Sequence, residues 1–114
     1  MPYISTTTTV SVSAEKEAIL KTKLGKAIEI LPGKTEKWLM LSFEDNVRMY
    51  FAGDNSKPCA MVEVNLLGSA APEYYEKMTA EVCDVFSDVL SIPKDRIYVK
   101  YEESLNWGWN GSNF

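Results

Sequence analysis

Leu31-Pro32-Gly33-Lys34-Thr35-Glu36-Lys37-Trp38-Leu39-Met40-Leu41-Ser42-Phe43 runs from a helix stop through a lysine into an aromatic-aliphatic stretch, and Ser91-Ile92-Pro93-Lys94-Asp95-Arg96-Ile97-Tyr98-Val99-Lys100-Tyr101 repeats that plan in the second half of the chain. Each stretch ends a helix and enters a strand, so the chain divides into two β-α-β units in tandem. Upstream of the first, Leu20, Leu24, Ala27, Ile28 and Leu31 stand at helical spacing, with hydroxyl caps in Ser11-Val12-Ser13 and acids Glu15 and Glu17 in the first turn. Lys16, Lys21, Lys23 and Lys26 fall mostly on the opposite face, and Pro32-Gly33 stops the helix. The apolar run Trp38–Phe43 predicts a buried strand with a parallel neighbour. Glu44-Asp45-Asn46 is then a turn, and Arg48–Ala52 alternates like the return strand of a hairpin.

Working outward, the turn-rich Gly53-Asp54-Asn55-Ser56-Lys57-Pro58 separates the halves, at about 1–57 and 58–114 of a single domain. Cys59–Leu67 predicts a strand, Gly68–Pro72 a loop whose proline opens a helix, and Met78, Val82, Val85, Phe86 and Val89 keep helical spacing to the Ile92-Pro93 stop. Asp95–Tyr101 follows as a strand with Ile97, Val99 and Tyr101 alternating against Tyr98 and Lys100. The amino end, Met1-Pro2-Tyr3-Ile4 into Ser5–Val10, is rich in strand formers, and a strand from the second residue would fix the terminus inside the fold. The class expected is α+β: one mainly four-stranded mixed sheet with two helices on one face. Such a sheet has a second face left over, for which self-association is the natural cover. The tail from Asn106 to Phe114 shows no regular pattern yet holds Trp107, Trp109 and Phe114, which suits an interface core as well as a site lining.

Composition narrows the chemistry. In 114 residues with a net charge of −4 there is no basic run, which argues against nucleic acid and anionic membranes. There is no histidine, so His-based triads and the commonest zinc ligand are excluded. Cys59 and Cys83 form no metal spacing and no C-x-x-C pair, as expected for thiols in a reducing compartment. The first dozen residues lack both the basic start and the apolar run of a signal peptide, and a cytoplasmic protein is expected.

On these residues the chain resembles the tautomerase superfamily, in the branch of macrophage migration inhibitory factor and D-dopachrome tautomerase. The likeness rests on Met1-Pro2 leading into a strand, Gly33-Lys34 after the first helix, Pro58-Cys59-Ala60, Leu66-Leu67-Gly68, Asp95-Arg96-Ile97-Tyr98 and Gly108-Trp109-Asn110-Gly111-Ser112, in that order. The resemblance implies a homotrimer with a site at each subunit interface, and keto–enol tautomerisation of phenylpyruvate-like 2-oxo acids without metal or organic cofactor. It makes Pro2, after loss of Met1, the general base and Lys34 the partner of the substrate carboxylate. Leu67 supplies a backbone N–H, Tyr98 comes from the adjacent subunit, and Trp38, Trp107, Trp109 and Phe114 line an aryl pocket. Lys100 stands where the family usually has asparagine, adding a second ammonium near the substrate.

The chemistry is coherent. Moving a proton α to a carbonyl needs a base that is neutral at working pH, and an apolar wall plus a nearby ammonium both lower an amine's pKa. Each residue also has a plainer role: Lys34 as complement to a helix dipole, Tyr98 and the Trp-Gly-Trp tail as packing. The C-x-x-C pair that animal members enter at Cys59 is missing, which argues against thiol–disulfide chemistry. With Met1 retained, the Pro2 nitrogen is an amide with no basicity. A second class stays open: a cytokine-like protein acting on a receptor through its surface, released without a signal peptide, with the pocket vestigial.

Overall fold

A computed structural model describes residues 1–114. Four strands, β1 (Pro2–Thr8), β2 (Met40–Glu44), β3 (Ala60–Leu67) and β4 (Ile97–Ser104), form one sheet in the order β2-β1-β3-β4. Helix α1 (Ala14–Ala27) joins β1 to its parallel neighbour β2, and α2 (Pro72–Leu90) joins β3 to its parallel neighbour β4. The two β-α-β units meet through the antiparallel β1–β3 ladder, which makes the sheet mixed. This is the α+β architecture expected from the sequence.

Local signals start and stop the helices where the residues allow. Ser13 caps α1, its hydroxyl accepting from the Lys16 N–H at 3.2 Å. Pro72 occupies the first turn of α2, where its missing N–H costs nothing, and Ser91 closes the helix in the left-handed region at φ 57°. Strands β1 and β3 bury alternate residues, so only one face of the sheet is covered. Ile4, Val62, Val64 and Leu66 from that face meet Leu20, Leu24 and Ile28 of α1 and Met78, Val82 and Phe86 of α2 in a core closed to solvent. Burying each such side chain contributes about 1.5–3 kcal/mol. The open face is mostly polar: Tyr3 Oη and Ser42 Oγ share a hydrogen bond of 2.8 Å, and Lys100 pairs with Glu102 at 3.2 Å. No helix is long and apolar enough to cross a membrane.

Three expectations are corrected. The strand placed at Trp38–Phe43 starts at Met40, because Glu36–Trp38 winds into a short 3₁₀ turn. It is half-exposed rather than buried, since it forms the sheet's edge. No return strand forms at Arg48–Ala52, which finds no ladder beside it. Phe51 and Asp54 instead exchange two 3.0 Å backbone hydrogen bonds across Ala52 and Gly53, both at positive φ. Buried Arg96 gathers the carbonyls of this loop, donating to Asp54 at 2.9 Å, Lys57 and Pro58 at 3.0 Å and Phe51 at 3.4 Å. Finally, the tail is ordered: β5 (Gly108–Trp109) and β6 (Ser112–Asn113) make a hairpin over Asn110-Gly111, at φ 52° and 86°.

Candidate active site

The site is built where the amino terminus enters the sheet. Because Pro2 pairs with Leu66, the next rung of the antiparallel ladder brings the Leu67 N–H to the Met1 carbonyl at 3.0 Å. Lys34 reaches the same rung from the other direction. Its backbone N–H donates to Leu31 in the turn that closes the first helix, and its Nζ donates to the Leu67 carbonyl at 2.8 Å. Gly33 at φ 78° permits that turn. The Met1 amine is pushed below the ordinary α-amino range, first by burial and then by the charge and hydrogen bond of Lys34. Terminus, Lys34 and Leu67 thus form one connected cluster.

A cavity of about 390 Å³ opens beside it, lined by Met1, Pro2, Tyr3, Trp38, Trp107 and Trp109 among others. The 3₁₀ turn delivers Trp38, and the tail hairpin delivers its partners. Trp38 meets Trp109 edge-on at 5.0 Å between ring centroids and Phe114 edge-on at 6.2 Å, while Trp109 and Phe114 stack at 6.0 Å. The Phe114 N–H donates to the Trp107 carbonyl at 3.1 Å, which ties down the end of the chain. Such a wall is apolar, can take a flat ring by stacking, and disfavours a charged amine next to it.

Of the residues singled out in the sequence, Pro2, Lys34, Leu67, Trp38, Trp107, Trp109 and Phe114 therefore come together in one chain. Tyr98 and Lys100 do not. Tyr98 pairs in register with Met61, and from Met61 to Leu67 is roughly 20 Å along the strand. It packs on Phe51 at 5.0 Å. Lys100 lies on the open face of the sheet between Glu63 and Glu102. Sequence reasoning missed Lys37, Met40 and Tyr3, all of which line the cavity. Lys37 was legible as a second cation beside Trp38 in the turn; Tyr3 and Met40 had no signal beyond strand alternation. A larger hollow of about 680 Å³ between α1 and β2, bordered by Glu17, Lys21, Glu36 and Phe43, holds none of the predicted site residues. No three His, Cys, Asp or Glu side chains converge in a way that could hold a metal ion.

Comparison with known proteins gives a consistent result. The family model described as macrophage migration inhibitory factor matches residues 1–114. Leishmania major MIF2 superposes with a TM-score of 0.92 at 34% identity, covering 100% of this chain and 97% of that one. The macrophage migration inhibitory factor homologue of Prochlorococcus marinus gives 0.82 at 34% identity over 98% of each chain. Among curated sequences, macrophage migration inhibitory factor of Xenopus laevis is 28% identical over 100% of this chain and 99% of its own length.

Proposed function

The chain belongs to the macrophage migration inhibitory factor family, and on that premise we propose that it is a cofactor-independent keto–enol tautomerase of phenylpyruvate-like 2-oxo acids, with the Pro2 nitrogen as general base. The observation that carries the proposal is the rung at Leu67. Removing Met1 frees the Pro2 nitrogen as a secondary amine and at the same stroke leaves the Leu67 N–H without its 3.0 Å acceptor, beside the cavity. A base and an oxygen-binding donor appear together, with Lys34 alongside to meet a carboxylate.

In the keto-to-enol direction the neutral nitrogen takes a proton from C3. The C–H electron pair becomes the C2–C3 double bond, and the carbonyl π pair moves onto the C2 oxygen. The Leu67 N–H stabilises that growing charge, and Lys34 holds the C1 carboxylate and adds its field. The enolate oxygen then takes the proton back from prolinium, or takes one from solvent while prolinium gives its own to water; either way the neutral base is restored. The ring of the substrate stacks on Trp38 and Trp109, whose apolar surface also keeps the amine neutral. Tyr98 and Lys100 lie too far from this cavity to act in it within one chain, and in a homotrimer they would serve the site of an adjacent copy.

The direct test is enolisation of phenylpyruvate by the Met1-free chain and its Pro2→Gly and Pro2→Ala variants. Losses of about 10²–10⁴-fold in kcat are expected for a displaced general base. Wild-type turnover in both variants would remove Pro2 from the mechanism. A second reading, an interaction protein acting through its surface, draws on the names its relatives carry. It predicts that any cellular response survives the Pro2 variants unchanged.

A further inference from the structure

The proposed mechanism leaves one charged group at the cavity without a task. Lys37 lines it together with Pro2, Trp38 and Trp109, and its Nζ stands 5.4 Å from the Trp38 ring centroid. The adjacent acid does not neutralise it. Glu36 turns the other way, its carboxylate lying so close over Gly25 of α1 that a methyl group there would collide with it. No carboxylate oxygen comes within 4.0 Å of Lys37 or Lys34, as is also true of most lysines of the chain. No Asp or Glu lines the cavity at all. In a chain of net charge −4, a mostly apolar hollow lined by Lys37 and no acid, with Lys34 at the neighbouring Leu67 rung, carries a local excess of positive charge. It attracts anions, and it has more positive charge than one carboxylate needs.

The two cations also stand at different parts of the site. Lys34 is fixed on the Leu67 carbonyl beside the terminus. Lys37 instead sits over the Trp38 ring of the aromatic wall, which Trp109 meets edge-on. We propose that Lys37 is a specificity-determining residue and that the site prefers 2-oxo acids carrying a second carboxylate at the end remote from the ketone. This rests on the tautomerase reading for turnover, but the preference for a doubly charged ligand is a property of binding and can be measured alone.

The experiment uses the Met1-free chain with phenylpyruvate and 4-carboxyphenylpyruvate as substrates, and compares wild type with Lys37→Gln and Lys37→Arg. The ratio of kcat/KM for the dianion over that for phenylpyruvate falls about three- to fivefold in K37Q, as expected for one exposed ion pair. The fall resides in KM, is restored in K37R, and shrinks as salt is added. A ratio that K37Q leaves unchanged overturns the proposal. Tryptophan fluorescence with phenylacetate and 4-carboxyphenylacetate, neither of which has a ketone to tautomerise, separates the two claims. If neither 2-oxo acid is turned over but K37Q still loses preference for the dicarboxylate, Lys37 keeps its role and the tautomerase reading fails. Turnover of both without a Lys37-dependent preference sinks the specificity claim alone.

Discussion

Retention of a single residue, Met1, should separate a folded chain from an active one. The retained residue changes two things at once. Its peptide bond converts the Pro2 nitrogen into an amide, which removes the proposed base, and its carbonyl occupies the Leu67 N–H at 3.0 Å. Loss of a general base is worth about 10²–10⁴ in rate, and loss of one oxyanion donor about 10²–10³, or roughly 2.7–4 kcal/mol. Acting independently the two give a deficit of about 10⁴ or more; acting as one unit they give no less than about 10². Stability should move the other way, since the extra rung extends the β1–β3 ladder. The assay takes one preparation with a cleavable leader, opened to release either Met1-Pro2 or Pro2, with intact mass confirming each form. Phenylpyruvate enolisation is then followed for both, and thermal unfolding is recorded alongside. A Met1-bearing chain that turns over substrate within threefold of the Pro2-terminated one, a difference of about 0.6 kcal/mol, would refute both the assigned base and the assigned donor.

Other perturbations test separate parts of the structure. The Met1 amine is held low chiefly by burial and next by Lys34; the Pro2 amine freed beside the same Lys34 should likewise give an activity that rises with pH along a limb set by that amine. Lys34→Gln should move that limb to higher pH and raise KM, and a limb that stays put would show that Lys34 does not tune the base. Arg96→Ala deprives four loop carbonyls of their donor and should cost about 3 kcal/mol in denaturant unfolding; a loss near zero would mean that solvent replaces the guanidinium freely. Burial, and then its hydrogen bond to Glu103, raises the Tyr75 phenol to about 12. A raised phenol stabilises the fold fully below the unfolded value near 10, and that contribution disappears as pH climbs towards 12. Alkaline unfolding should therefore shift in Tyr75→Phe, and spectrophotometric titration should show tyrosine ionising late.

What the sequence disclosed, and what it hid, divides along physical lines. Leu20, Leu24 and Ile28, and Met78, Val82 and Phe86, announce their helices because a helix carries its period within one segment, and each of these side chains is buried as expected. Strand pairing is not local in this sense. Arg48–Ala52 alternates as a strand should, yet it finds no ladder, and Arg96 donates to its Phe51 carbonyl instead. Likewise β2 is an edge strand left half-exposed, and nothing in the apolar run Trp38–Phe43 says which strand will be outermost. The tail hairpin is a different kind of miss, because Asn110-Gly111 is a recognised turn pair and was legible. At the site, the structure brings the terminus, Lys34, Leu67 and the aromatic residues near one another. Lys37 escaped notice because a lysine in a turn looks like solvent-facing charge until its neighbours are known.

The ladder that holds β1 has a practical corollary. With β2 on one side and β3 on the other, the first strand can leave the sheet only at its own tip, next to the cavity. The last residue packs there too, against Trp38 and Trp109. An affinity handle or fluorescent reporter fused at either extremity would therefore crowd the same opening, and a label for imaging or capture belongs on the outward side of α1 or in the Gly53–Lys57 bend.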